Sequence, residues 1–186
     1  MAADGLPPWC ETVLDLWFRE LEPKAWFTTS RATDLLIVER CLAIHEKVAQ
    51  ALPPEARREP QVALAAVIAL DQFPRNMFRA TPRAFATDPL ALALAKDAVA
   101  AGLDRGMVKN ERLFLYLPFE HSENLDDQHR SVELFAALGD EELLRHAIAH
   151  KAIIERFGRF PHRNAILGRP STPEEEELLR QPGSSF

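Results

Sequence analysis

The chain has 186 residues, 47% hydrophobic and 27% charged, and its 22 basic and 28 acidic side chains leave a formal net charge of −6. This length suits one soluble helical domain over residues 1–186. We expect the ends of the chain, residues 1–8 and 181–186, to be frayed. An acidic chain lacks the basic stripe of a nucleic-acid-binding protein, so we expect no nucleic-acid partner. The longest apolar run, Val62–Leu70, is also far shorter than the roughly 20 residues of a membrane-spanning helix, so we expect no membrane partner.

The ends and the cysteines of the sequence predict a cellular location. The first eight residues, Met1–Pro8, have neither the cationic start nor the apolar stretch of a signal peptide. Cys10 and Cys41 are too few for a disulfide framework, so we expect reduced thiols. Both observations predict a cytoplasmic protein.

The proline and glycine content of the sequence indicates helices separated by prolines, since there are 14 prolines and only 7 glycines. Helices are predicted at about residues 9–20, 32–52, 60–73, 90–101, 109–117, 120–138 and 141–157, and a short one starts within Ser171–Glu175. The second has N-cap candidates in Thr28, Thr29 and Ser30. The third is apolar on every side, which is typical of a central helix.

No segment alternates polar and apolar residues for long enough to indicate a strand. The pattern therefore predicts an all-α protein, a bundle or stack of about seven to eight antiparallel helices. Residues 158–169 are predicted to be irregular. His45 and His129 lie in amphipathic stretches with charged neighbours, so we expect both at the surface.

Three places share a pattern in which an apolar helical run meets a proline and a cluster of polar side chains follows. In the first, Leu70–Arg79, Asp71 and Arg75 are four residues apart and could pair on one helix face. Pro74 has no N–H for the carbonyl of Leu70, so it leaves that acceptor free.

The second cluster follows Pro118 and the third surrounds Pro161. If residues 120–138 are one helix, Glu120, Glu123 and Asp127 share a face, and His121, Asn124 and Gln128 lie on a neighbouring one. The third cluster, Gly158–Asn164, is preceded by His146 and His150 at helical spacing.

The sequence resembles the bacterial domain of unknown function numbered 924, whose members are placed among tetratricopeptide-like helical folds. The residues that carry the resemblance are Leu70–Asn76, Phe114–Glu123, Asp127, Gln128, His150, Arg156–Asn164, Leu167–Arg169 and Ser171–Glu175. The likeness covers roughly residues 17–177. It implies a tetratricopeptide-like fold, and it implies no established reaction.

The arginines beside the prolines predict an anion-binding site. Arginine matches carboxylates and phosphates with parallel hydrogen bonds, so a pocket framed by several would bind a small anionic molecule or a peptide carboxylate. His121 or His162 could then move a proton, with Glu120 or Glu123 setting its tautomer. The predicted catalytic residues are His121, Glu123 and His162. The predicted ligand-binding residues are Asp71, Gln72, Arg75, Asn76, Glu120, Gln128, His150, Arg159, Arg163 and Asn164.

Three other interpretations stay open. Glu120, His121, Glu123 and His150 supply metal-ligand types, although their spacing departs from the Glu-x-x-His pattern of bundle sites. The same charges could instead pair with one another and fix how the helices dock. Stacked helical hairpins could also present a concave face to a peptide. These patterns predict neither a cofactor nor an oligomeric state.

Overall fold

A computed structural model describes residues 5–181, and over these residues the chain forms helices and turns without a β-strand. The α-helices are α1 (Pro8–Asp15), α2 (Arg31–Gln50), α3 (Pro60–Val67), α4 (Phe73–Met77), α5 (Asp88–Ala100), α6 (Lys109–Glu120), α7 (Leu125–Ala136), α8 (Glu141–Phe157), α9 (Asn164–Leu167) and α10 (Pro173–Leu179). Short 3₁₀ turns lie at Pro23–Ala25, Pro54–Arg57, Pro82–Phe85 and Pro161–Arg163. The all-α prediction is confirmed. The tetratricopeptide-like arrangement stays a prediction, and most of the predicted frayed ends lie outside the described residues.

The chain divides into two compact units. The first unit comprises the chain up to Arg79 together with Arg83–Pro118, and the second comprises Ala80–Pro82 and the chain from Phe119 onward. The prediction of a single domain stays a prediction. None of the described helices is both long and apolar enough to cross a bilayer.

The first unit is built around α3 and an aromatic cluster. Every side chain of the apolar run Val62–Leu70 is buried, which confirms the predicted central helix. Phe114 packs edge-on against Trp17 and Trp26, with ring centroids 5.3 and 4.9 Å apart. These large rings bury much of the apolar surface that stabilises this unit.

A π-helical turn at Ile68–Gln72 joins α3 to α4. Pro74, which has no N–H, stands five residues after Ala69 and four after Leu70, so it can donate to neither carbonyl. Thr87 Oγ1 donates to the carbonyl of Leu70 at 2.5 Å, and His45 Nδ1 donates to that of Ala69 at 2.9 Å. Thr87 thus satisfies the Leu70 carbonyl that Pro74 leaves free, whereas Asn76 donates to Asp34. The surface position predicted for His45 is wrong, because His45 is buried against this carbonyl.

The second unit contains the packed pair α7 and α8 and the short helices that follow. The break between α6 and α7 lies later than predicted, because α6 continues through Pro118 to Glu120 and α7 begins only at Leu125. Asn124 caps α7 by accepting the N–H groups of Asp126 and Asp127. The shared helix face predicted for Glu120, Glu123 and Asp127 is therefore wrong.

The other predicted helix ends follow their capping chemistry. Ser30 caps α2 as one of the three candidates. Asp140 caps the start of α8, and the C-cap residue Gly158 has a left-handed φ of 67°, a conformation that favours glycine. Thr172 and Glu175 form a capping box at α10. The region predicted to be irregular, 158–169, contains a 3₁₀ turn and the single turn α9.

Candidate functional site

The polar side chains of the first unit form ion pairs with one another. Arg75 places both terminal nitrogens on the carboxylate of Asp88, at 2.8 and 2.9 Å, and also donates to the main-chain carbonyl of Asp71. The Asp71 carboxylate is fully buried, lies 3.5 Å from Arg75, and accepts the amide of Gln72 at 2.5 Å. The predicted pairing of Asp71 with Arg75 is confirmed, and Arg75 makes its two side-chain hydrogen bonds to Asp88.

Side chains at the end of α4 and just beyond it also bind the carboxylate of Asp34. Asn76 Nδ2 donates to this carboxylate at 2.8 Å, and Arg79 holds both of its oxygens at 2.7 and 2.9 Å. Burial of Asp34 acts to raise its pKa, but the hydrogen bonds from Arg79 and Asn76 outweigh it, so the pKa is lowered. The predicted ligand residues Gln72, Arg75 and Asn76 thus donate to carboxylates of the fold, and Asp71 is one of those carboxylates.

A continuous hydrogen-bond chain runs through the second unit. Arg169 holds both oxygens of Glu123 at 2.7 and 2.9 Å and donates to Asn164 Oδ1 at 2.9 Å. Asn164 donates to Glu175 at 3.2 Å, and Arg159 holds both oxygens of that carboxylate at 2.7 and 2.8 Å. Two guanidinium groups therefore balance two carboxylates along this chain.

The two carboxylates of this chain are held ionised. Hydrogen bonding by Arg159 is the main cause that lowers the pKa of Glu175 to about 2, against the opposing effect of burial. Burial of Glu123 acts to raise its pKa, but Arg169 and the N–H of Phe160, 2.8 Å away, outweigh it and lower the pKa. Glu123, predicted to be catalytic, fixes the main chain at Phe160.

His150 lies at the centre of the second polar cluster. Its Nδ1 donates to the carbonyl of His146 at 2.9 Å and lies 3.5 Å from Glu120 Oε1, and its ring meets Phe160 edge-on at 5.6 Å. Burial lowers the pKa of His150 to about 3; the bond to His146 opposes this shift, while His121, His162 and Arg163 add to it. His150 is therefore neutral near pH 7, with its proton on Nδ1.

The side chains around Phe160 complete this cluster. His162 lies 5.6 Å from the Phe160 ring between centroids, and the guanidinium of Arg163 lies 4.6 Å above the same ring. The sequence-predicted residues Glu120, His121, His150, His162 and Arg163 are thus brought together within the second unit.

Gln128 serves the turn between α6 and α7. Its Nε2 donates to the carbonyls of Glu120 and Ser122, both at 2.7 Å, which satisfies acceptors at the end of α6. Its Oε1, and the Oγ of Ser131 one turn later, are buried and receive no hydrogen bond from the described residues. Buried acceptors of this kind are costly and are usually met by ordered water.

The metal interpretation gains no support from the positions of its residues. Glu123 turns to Arg169 and Phe160, whereas Glu120 faces His150. Within residues 5–181, no group of three or more His, Cys, Asp or Glu side chains is arranged to hold a metal ion.

An open groove of about 460 Å³ lies where the end of α8 faces the start of α10. Its described lining residues are Arg156, Phe157, Arg159, Thr172, Glu174 and Glu175. The guanidinium of Arg156 rests 4.7 Å from the centroid of the Phe157 ring and makes no hydrogen bond or ion pair with a described residue. Arg159 uses Nε and Nη2 for Glu175 and the carbonyl of Pro170, which leaves Nη1 without a described acceptor.

Sequence reasoning missed several partners in these clusters. No role was predicted for Asp34 or Asp88, and Glu175 was placed only at a helix start and within the resemblance. Arg169 stood in a matching motif without a role. The signal that could have found Glu175 is the polar run around Thr172–Glu175, since a capping-box glutamate already folds back toward its own helix start.

Comparison with known proteins identifies the family. Residues 13–183 match the family described as bacterial protein of unknown function (DUF924). The chain belongs to this family. A DUF924 relative with a solved structure, a protein of unknown function from Agrobacterium tumefaciens, is 40% identical with a TM-score of 0.87, and the match covers 92% of this chain and 96% of that chain. No curated protein matches the chain.

Proposed function

We propose that this protein binds a small anionic molecule in the groove between the end of α8 and the start of α10, with Arg156 and Arg159 as the anion-binding residues. The observation that carries the proposal is that both guanidinium groups line the groove with donors that no described residue accepts. Guanidinium groups with uncommitted donors match carboxylate and phosphate oxygens.

The surroundings of the two arginines support the proposal. Arg159 is held in place by Glu175 and Pro170, so its Nη1 is oriented before a ligand arrives. Stacking on Phe157 restricts Arg156 in the same way. The volume of about 460 Å³ lies within the usual range for small-molecule sites.

The proposal concerns binding rather than turnover. The described lining residues include no histidine, cysteine or lysine that could transfer a proton near pH 7. His150 lies in a separate cluster, and its low pKa makes it a weak base. We propose a structural role for the predicted ligand residues of the first unit, since Asp71, Arg75 and Asn76 satisfy one another and their neighbours.

The test is a binding titration with Arg156→Gln. Inorganic phosphate, acetate, butyrate and citrate are titrated into the wild-type protein while the amide signals are followed by NMR. Since Arg156 has no hydrogen bond to a described residue to lose, the variant should fold normally and bind the best probe about fivefold more weakly, the scale of an exposed ion pair.

The matched control is Arg145→Gln. Arg145 is exposed on the same helix and contacts only the carbonyl of Glu141 one turn earlier, so its loss removes the same charge outside the groove. Unchanged affinity in Arg145→Gln with weakened binding in Arg156→Gln supports the proposal. Equal affinities of wild type and Arg156→Gln, or no binding of any probe at 10 mM, would contradict it.

A further inference from the structure

The groove is lined by one exposed cation and one exposed anion that form no ion pair with a described residue. Arg159 and Glu175 cancel each other through two hydrogen bonds of 2.7 and 2.8 Å. Of the remaining charged residues of the lining, Arg156 and Glu174 form no ion pair with any residue in 5–181. The groove therefore presents a net charge near zero, with one unpaired charge of each sign.

We infer that the ligand of this groove is a small zwitterion, in which an acidic group meets Arg156 and Arg159 and a protonated amine meets Glu174. This inference rests on the proposed function and names its ligand class. A simple anion would be attracted by the arginines but repelled by Glu174. In a zwitterion, the acidic group and the amine would each meet a side chain of opposite charge.

The dimensions of the groove allow one small molecule to reach both charges. The side chains of Arg156, Arg159 and Glu174 all line one groove of about 460 Å³, which falls in the usual size range of small-molecule sites. The two arginines lie at the end of α8 and just beyond it, and Glu174 lies in the first turn of α10. A ligand lying across the groove would thus place its opposite ends on the two segments.

The other lining groups are compatible with such a ligand. Phe157 offers an apolar surface to the carbon chain between the two charged ends, and its ring also orients Arg156. Thr172 is occupied in capping α10, where its hydroxyl accepts the N–H of Glu175 at 3.2 Å. Its contribution is to hold Glu175, and through it Arg159, in position.

The experiment compares acids with their amino derivatives. Acetate is compared with glycine, propionate with β-alanine, and butyrate with 4-aminobutyrate, each titrated by NMR into the wild-type protein at constant ionic strength. Because these chains differ in length, the series samples the spacing between the two charges. We expect at least one amino derivative to bind about two- to fivefold more tightly than its parent acid, the range of an exposed ion pair.

The variants Glu174→Gln and Glu177→Gln test whether Glu174 causes the preference for the amino derivative. Glu174→Gln should remove the preference and leave the parent acid bound as well as before or better. Glu177 is exposed on the same helix and pairs with Arg180 outside the groove, so Glu177→Gln should keep the preference.

The possible results distinguish this inference from the proposed function. If the parent acids bind as tightly as their amino derivatives and Arg156→Gln lowers the affinity for both, the inference of a zwitterionic ligand is wrong and the proposal of anion binding stands. If Glu174→Gln keeps the preference, Glu174 does not receive the amine and the inference is wrong. If neither the acids, their amino derivatives, phosphate nor citrate bind at 10 mM, the inference and the proposed function both fail.

Discussion

At the scale of single residues, the buried histidine His150 shows how position changes the chemistry of a side chain. The sequence offers it as one imidazole among six. In the fold, burial holds it neutral, the nearby Arg163 guanidinium adds to this effect, and the carbonyl of His146 fixes the proton on Nδ1. A residue type that normally titrates near neutral pH becomes a fixed hydrogen-bond donor.

This environment predicts a pH dependence of stability. In the unfolded chain His150 takes its ordinary pKa of 6.5, whereas in the folded protein the pKa is about 3. Between these values the unfolded chain binds the extra proton, so the stability present above pH 6.5 is lost as the pH falls toward 3. The slope contributed by this residue is on the order of 1 kcal/mol per pH unit.

The measurement is urea unfolding between pH 5 and 7, above the range where most carboxylates titrate. His150→Asn keeps a donor for the His146 carbonyl and should show a shallower loss of stability than wild type as the pH falls. His129→Asn is the control, because His129 is half-exposed and lies 3.9 Å from Glu155. Parallel pH profiles for wild type and His150→Asn would show that burial does not set this slope.

At the scale of elements, the π-helical turn at Ile68–Gln72 depends on side chains from other helices and turns. The carbonyls that Pro74 leaves without main-chain donors are buried, and an unsatisfied buried carbonyl costs about 1–3 kcal/mol. Thr87→Val keeps the shape of the side chain but removes the hydroxyl that donates to Leu70. We expect this variant to lower the free energy of unfolding by about 1–3 kcal/mol.

The control for Thr87→Val is Thr12→Val, since the Thr12 hydroxyl donates to the carbonyl of Pro8 in an exposed setting where water can replace it. Chemical denaturation should show a change below about 0.5 kcal/mol for that variant. Equal effects of the two substitutions would mean that the Leu70 carbonyl does not need Thr87.

The helices themselves were largely predictable, because caps and prolines act locally. A helix was predicted at residues 141–157, and the structure has the same bounds, with Asp140 as its N-cap and Gly158 as its C-cap. The break between α6 and α7 was not predicted, since Pro118 was interpreted as a boundary but is tolerated inside α6. The Asn124 cap marks the true start of α7, and this cap competes with a proline signal six residues earlier.

The clusters were predicted in part, since sequence neighbours reveal which residues are polar but not which distant partners they meet. Glu120 and His150 were both predicted for the site, and the fold brings them to 3.5 Å. Glu123 was predicted to be catalytic, but its partner Arg169 is 46 residues away. Pairings at this separation depend on tertiary packing, which local spacing does not encode.

At the scale of the whole molecule, each of the two units contains a carboxylate that an arginine side chain holds by paired hydrogen bonds. Asp34 in the first unit and Glu175 in the second both have a lowered pKa because arginine side chains donate to them. In the unfolded chain these carboxylates return to ordinary pKa values, so the folded protein binds fewer protons in acid.

This difference predicts how Asp34→Asn and Glu175→Gln depend on pH. Each should be less stable than wild type near pH 7, by about 1–3 kcal/mol, the scale of hydrogen bonds to charged groups. The contribution of each carboxylate is present above its unfolded pKa, 3.8 for Asp34 and 4.5 for Glu175, and is lost as the pH falls through its lowered folded value. The stability difference between each variant and wild type should therefore shrink as the pH falls below about 4.5.

Urea unfolding from pH 7 down to the acid limit of the folded state measures these differences. Glu177→Gln is the control, because Glu177 is exposed in its pair with Arg180 and its removal should give a small difference at every pH. A difference for Asp34→Asn or Glu175→Gln that stays constant into acid would mean that the lost interaction is not electrostatic. Convergence of both with wild type would instead show that paired carboxylates in each unit set the acid stability of the protein, because the arginine partners stabilise only the ionised carboxylates.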